Sequence, residues 1–256
     1  NVLDLNASIN SNGYRTGLED WNGNVAPKAM IDHMKTNVDP RLRYVFEPGI
    51  SAAGVYTGLD QLANADVQTP GIAAGKLAMY NRTTLSRNQF FPGVVMNAAE
   101  VSFMAAESHV KAGNTAAAKT AYEKGIRESI SYYVAIRALS KDATSPAVTA
   151  VAPAEITAYL AANGISFDKA TTPAARIGLI AAQKWLHMNV VQPVELWSEV
   201  RRLDPALSFQ TDGANAQTKP PVRWSYPVSE TIYNKANYAA VSAKDNLNQK
   251  LFWDVK

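Results

Sequence analysis

Cysteine is missing from all 256 residues. That absence excludes disulfides, thiolate metal sites and a thiol nucleophile, but not export, because many exported bacterial chains fold without disulfides. Histidine is scarce: His33, His109 and His187 stand far apart, without the HExxH spacing of a zinc site. His109 and His187 each fall in a mostly apolar helical stretch, where a hydrogen-bonded core histidine is more frequent than a ligand. Neither a GxSxG elbow nor a glycine-rich phosphate loop occurs. No apolar run reaches the roughly 20 residues needed to cross a bilayer. Charge is sparse as well. Only 18% of residues are charged, the net charge is +3, and Arg201–Arg202 is the sole adjacent basic pair, so no basic stripe is present to track a nucleic acid. The chain opens on Asn1 without a signal-peptide pattern, as a mature or trimmed product is expected to.

What is present is hydrophobic residue, 47% of the chain, enough over this length to enclose a core. The organising stretch runs from Asn97 to Ala138 and is predicted as two antiparallel helices. Asn97 is a good N-cap, and Glu100 is placed to reach back to the free amides of the first turn. Gly113–Asn114 ends that helix. Val101, Met104, Ala105 and Val110 are predicted to share its inner face, while Ala118, Tyr122, Ile126, Ile130 and Val134 recur every four residues in the second helix. Each stripe needs the other for burial. The small residues, a Lys-Ala-Gly-Asn turn and Ala-x-x-x-Tyr match a tetratricopeptide helix pair, and an unrelated αα-hairpin has the same spacing.

The chain divides by composition into a loop-rich segment (1–96), a helical hairpin core (97–204) and a closing loop, short strand and tail (205–256). Asn1 to Asn24 reads as a long exposed loop. Aromatic rings there can stack on the C–H face of a sugar while amide and guanidinium groups take its hydroxyls, so Tyr14, Arg15, Trp21, Asn22 and Asn24 are the candidate glycan contacts. The alternative is that the rings plug the loop onto the body. Pro27 opens a short helix to Lys35 with Ala26, Met30 and Met34 inward, and Leu42, Tyr44 and Phe46 alternate as an extended segment after Pro40. Gly49 to Pro92 is broken by glycine and proline into short helices and long loops. A helix over Pro153–Ala162 and a longer one capped by Thr172–Pro173 are expected next. The longer helix carries Ile177, Ile180, Ala181, Trp185 and Met188 inward, with Gln183 and Lys184 facing away. Pro193 starts another helix with Leu196, Val200 and Leu203 on its apolar side, and Arg223–Pro227 alternates like an edge strand.

Several of these stretches carry a resemblance. Asp39-Pro40-Arg41-Leu42 is followed by Tyr56-Thr57-Gly58. Ala99-Glu100-Val101 with Phe103, Ala105-Ala106-Glu107 and Lys111-Ala112-Gly113 comes next, then Tyr122-x-x-Gly125-Ile126-x-x-Ser129. Gln183-Lys184-Trp185-Leu186, Glu195-Leu196-Trp197-Ser198-Glu199-Val200-Arg201-Arg202, Arg223-Trp224-x-Tyr226-Pro227 with Glu230, and Phe252-Trp253-Asp254 complete the set. In this order they resemble the SusD/RagB family of outer-membrane nutrient-binding lipoproteins, over positions 39 to 254. Two departures are Leu203-Asp204 where the family has Thr-Gly after the paired arginines, and Phe252 where it has a first tryptophan.

The resemblance implies a mainly α protein of tetratricopeptide-like hairpins with long irregular loops and little β structure, here a C-terminal region of a longer chain whose lipid anchor lies outside it. It implies a non-catalytic subunit on the surface of a Gram-negative cell, holding an oligosaccharide or other nutrient for a TonB-dependent (SusC-like) transporter. No cofactor and no metal are expected. The alternative role is a scaffold whose main partner is the transporter itself. The family's ligand aromatics lie in variable loops, so the site residues remain those named above. The motifs themselves are read as structure: Glu195, Glu199, Arg201 and Arg202 as an ion-pair cluster, Arg223 and Glu230 as clamps. A glycosidase needs a carboxyl pair across the scissile bond, and nothing singles out two of the 22 acidic residues.

Overall fold

A computed structural model describes residues 13–20, 24–203 and 221–253. The described elements are, in chain order, α1 (Gly13–Glu19), α2 (Lys28–Thr36), α3 (Leu42–Val45), β1 (Phe46–Glu47), α4 (Ala65–Ala73), β2 (Met79–Tyr80), α5 (Ala98–Lys111), α6 (Thr115–Leu139), α7 (Pro153–Ala161), α8 (Pro173–Met188), α9 (Pro193–Arg202), α10 (Val228–Tyr233) and α11 (Lys235–Val241). They fall into two units, Asn1–Leu207 and Ser208–Lys256.

The first unit is built on the α5–α6 hairpin. The side chain of Asn97 accepts the Glu100 amide (3.0 Å) and starts α5. Gly113, at φ 75°, turns the chain in the left-handed region, and Asn114 caps α6. The stripe of α6 is buried as its spacing predicts, through Ala118, Tyr122, Ile126 and Ile130. On α5 the inner face is rotated from the predicted one. Phe103, Ala106 and Val110 are buried, whereas Val101 and Met104 are exposed. The cause is Gly125 of α6, where a Cβ would lie 2.6 Å from the Phe103 ring: the missing side chain makes the groove that Phe103 fills. Glu100 does not return to the first-turn amides either, because its carboxylate accepts Gln192 Nε2 at 3.1 Å.

Around this hairpin the segments 24–28, 46–47, 57–59 and 78–81 lace together. The strands β1 and β2 pair antiparallel, Phe46 opposite Tyr80, and single bridges join Val25 to Met79 and Pro27 to Leu59. Backbone bonds Lys28 N–H to Leu59 C=O and Leu59 N–H to Ala26 C=O, both 2.8 Å, bring chains so close that a Cβ on Gly58 would sit 2.4 Å from Lys28 Cα. The predicted extended segment at Leu42–Phe46 is instead a helical turn, with only Phe46–Glu47 extended. The Asp39 carboxylate accepts the Arg41 amide (2.9 Å) and sets that turn.

Behind the turn lies a polar core. Arg41 is enclosed and donates to Asp39 (2.6 Å), Ser129 Oγ of α6 (2.8 Å), the Tyr159 hydroxyl of α7 (2.8 Å) and Gln183 Oε1 of α8 (2.9 Å). Burial opposes its charge, but Asp39 outweighs burial and holds the guanidinium protonated. Ser129, already an acceptor for Arg41, meets His187 Nδ1 at 2.9 Å, and His187 Nε2 meets Asn97 Oδ1 at 2.8 Å. Burial pushes the His187 imidazole down to about 3, so it is neutral, and these partners select the tautomer with its proton on Nε2. Gln183 and Lys184, predicted to face away, are therefore both buried: each has a polar partner on another element. The spacing of apolar residues along α8 carries no sign of such partners.

The second unit is smaller. Its helices α10 and α11 are short, and Arg223–Pro227, predicted as an edge strand, forms no ladder. Instead the Tyr226 amide is taken by the Asp245 carboxylate at 2.8 Å, and the Arg223 guanidinium reaches Lys244 C=O at 3.2 Å. Glu230 accepts Asn234 Nδ2 at 2.8 Å.

Candidate functional site

Part of the predicted exposed loop is helical: α1 carries Tyr14 and Arg15. The Tyr14 side chain, Trp21 and Asn22 lie outside the described residues. Arg15 is half-buried, 3.8 Å from Glu19 one turn on. Glu19 is the anchor of α1. Arg87 Nη2 (2.6 Å) and Ser86 Oγ (2.6 Å) both donate to it, and a second Arg87 nitrogen reaches Thr144 Oγ1 at 3.1 Å. Burial raises the Glu19 carboxyl, yet Arg87 and Ser86 outweigh it and hold the group below the usual carboxylate range. Asn24 has a role in the lacework, giving its C=O to the Tyr80 amide (2.6 Å) and its side-chain amide to Met79 Sδ (3.7 Å). Arg15 and Asn24 are therefore held by different neighbours, Arg15 by Glu19 and Asn24 by β2.

The 82–91 stretch bonds α1 through Ser86 and Arg87, and the 140–145 connection bonds that stretch in turn. Their side chains include Arg87, Asp142, which accepts Thr83 Oγ1 at 2.8 Å, and Phe90 with Lys141 Nζ 5.1 Å above its ring. Guanidinium, carboxylate, hydroxyl and aromatic groups on one rim suit a polyol, with rings for C–H faces and polar groups for hydroxyls. Sequence reasoning did not select Arg87, Phe90, Lys141 or Asp142. Nothing in their spacing signals it, because the rim is assembled from loops more than fifty residues apart, as Ser86–Glu19 and Arg87–Thr144 show.

Glu199 and Arg202 meet at 2.6 Å, and Arg202 also grips Glu107 of α5 through both terminal nitrogens (2.6 and 2.7 Å). Buried Lys184 of α8 donates to Glu199 at 2.8 Å. The cluster ties α5, α8 and α9 together, whereas Glu195 and Arg201 are exposed on α9. Arg202 draws the Glu107 carboxyl down to about 2 against the effect of burial, with Lys111 assisting. A carboxyl lowered from the usual 4.5 contributes stability that is complete above that value and is lost as pH falls toward 2. Thermal melts from pH 6 to pH 2 should therefore show a loss of Tm that starts near pH 5, and Arg202→Met should flatten it. An equally steep acid limb in Arg202→Met would show that Glu107 does not carry the dependence.

Among the described residues no group of three or more His, Asp or Glu side chains is arranged to hold a metal ion, and no helix is long and apolar enough to cross a membrane. The architecture is thus a tetratricopeptide-like helical frame, with the polar groups of its inner motifs engaged with one another and α1 bonded to the 82–91 stretch. The chain belongs to a SusD-like family described as starch-binding and associating with the outer membrane, whose model matches residues 4–227. Solved structures agree. A SusD-like protein from Bacteroides thetaiotaomicron superposes with a TM-score of 0.63 at 28% identity, covering 97% of this chain and 54% of its own. A SusD homologue from Bacteroides fragilis gives 0.67 at 21% identity, covering 90% and 51%, and one from Bacteroides uniformis 0.63 at 24%, covering 95% and 52%. The chain therefore spans about half the length of the structures it matches. No curated protein matches the sequence.

Proposed function

We propose that this chain is part of a non-catalytic, cell-surface subunit that binds an extracellular oligosaccharide and passes it to a TonB-dependent outer-membrane transporter, reaching the membrane through a lipid anchor outside the present sequence. The observation that carries the reading is the family match over residues 4–227 to a starch-binding description. The polar side chains of the motifs, Arg41, Ser129, Gln183, His187, Glu107 and Arg202, are each committed to other side chains, which supports reading the motifs as frame and not as ligand contacts. Tyr14, Arg15, Trp21 and Asn22 are the residues proposed to supply stacking and hydrogen bonds, while Asn24 is bonded to β2.

Calorimetric titration against a panel of starch-derived and other oligosaccharides tests the proposal. Binding without release of shorter products is expected. Removing a stacked indole costs about 1.5–3 kcal/mol, so Trp21→Ala should weaken the best ligand roughly ten- to hundredfold. Unchanged affinity in Trp21→Ala would exclude this site, and cleavage of the ligand would exclude the non-catalytic reading.

A further inference from the structure

Two guanidinium groups leave the 82–91 stretch, and they are used differently. Arg87 is spent: Glu19 accepts its Nε (3.0 Å) and Nη2 (2.6 Å), and Thr144 Oγ1 its Nη1 (3.1 Å). Arg82 gives only its Nε, to Glu47 of β1, and among the described residues nothing accepts its two terminal nitrogens. Its side chain is only 17% exposed. Polar groups so far withdrawn from water are as a rule hydrogen-bonded, so the unused edge of this guanidinium calls for an acceptor. That edge is a planar fork of N–H donors, the shape that matches an oxyanion presenting two oxygens.

The charge beside the fork is positive. Glu47 is enclosed and serves two guanidiniums, because it also acts on Arg137, whose own bonds go to the neutral oxygens of Asn81, Thr84 and Pro146. Asp142 acts on Arg137 as well, and its oxygens already accept Thr83 Oγ1, the Thr144 amide and Thr144 Oγ1. Lys141 lies 5.1 Å over the Phe90 ring and, among the described residues, pairs with no carboxylate. Arg82, Arg137 and Lys141 therefore stand against Glu47 and Asp142, Arg87 being balanced by Glu19. Arg82 and Lys141 are brought to one rim by the residues that follow them, since Thr83 donates to Asp142 at 2.8 Å.

We infer that the glycan held at this rim is acidic: the Arg82 fork takes an oxyanion substituent, the carboxylate of a uronic acid or a sulfate ester, and Lys141 supplies the second cation. A neutral sugar offers single hydroxyls, which leave half of the fork unused and the surplus charge unanswered. The inference rests on reading this rim as the glycan site and adds to it the class of sugar.

Calorimetric titration with four-unit oligosaccharides tests it, comparing neutral glucans, uronic-acid fragments of polygalacturonate and alginate, and sulfated fragments of carrageenan. The best acidic member should bind at least about tenfold more tightly than any neutral one, and its affinity should fall as salt rises, because charge-assisted bonds are the stronger and a partly exposed pair is screened. Uronate or sulfate as the tighter class supports the inference and identifies the oxyanion. Arg82→Lys keeps a cation for Glu47 but loses the fork, and Lys141→Gln alters an exposed position, so that at least the second variant keeps the parent melting temperature. Each should weaken the acidic ligand about tenfold and shrink the acidic-to-neutral ratio. Neutral glucans bound as tightly as acidic ones, or a ratio that neither variant moves, would overturn the inference and leave the binding function standing. Binding of no member of the panel would remove the binding function and the inference with it.

Discussion

Arg41→Met is expected to lower the free energy of unfolding by about 3–5 kcal/mol, the usual cost of breaking a buried ion pair from one side. The variant keeps an unbranched apolar stem but removes every side-chain donor, leaving only the backbone amide to Asp39. Asp39 is left enclosed without its counter-charge, and Ser129, Tyr159 and Gln183 each lose a partner. Three helices, α6, α7 and α8, converge on that one guanidinium, so the loss is spread across the first unit. Urea titration should show a lower midpoint at unchanged slope, and a melt should fall by roughly 6–20 °C. Asp39→Leu combined with Arg41→Met should recover part of the loss, because the stranded charge is the larger share of the penalty. A fall smaller than about 1 kcal/mol would mean that the pair behaves as a surface ion pair and that the polar core does not hold the helices together.

The second large effect concerns two glycines with opposite expected signs. Gly58→Ala places a methyl 2.4 Å from Lys28 Cα and 2.7 Å from its amide nitrogen, against backbone on both counts. Neither segment can rotate away, since the two bonds between residues 26–28 and Leu59 hold them in register. Relief requires separating the strands, so a loss of about 3 kcal/mol is expected, at the upper end for overpacking. Gly178→Ala in the middle of α8 meets nothing within 4 Å and should gain about 0.5–1 kcal/mol from the reduced freedom of the unfolded chain. Chemical denaturation of the two variants beside the parent decides the matter. Equal effects would show that close backbone approach at Gly58 is not what excludes a side chain there.

These two cases explain why the family-like motifs were legible in the sequence while their meaning was not. Asp39-Pro40-Arg41-Leu42 is the inner end of the polar core. Tyr56-Thr57-Gly58 is a point where backbones touch. In the Tyr122 to Ser129 stretch, Gly125 admits Phe103 and Ser129 joins Arg41 to His187. Gln183-Lys184 supplies one acceptor for Arg41 and one cation for Glu199. Each motif is a frame requirement, so none of them identifies the ligand. The candidate site was read less completely. Arg15 is on α1, but its surroundings are set by Glu19, Ser86 and Arg87, which come together only after folding.

The local signals of the chain were sufficient by themselves for its helical character, the hairpin at 97–138 and the helix starts at Asn97 and Thr172, because caps and four-residue stripes act within one or two turns. Tertiary structure alone decided which face of α5 turns inward and why Gln183 and Lys184 are buried. In each case the deciding partner, Gly125, Arg41 or Glu199, acts through a groove or a desolvated charge. Such forces depend on distances in space, and periodicity along the chain carries no record of them.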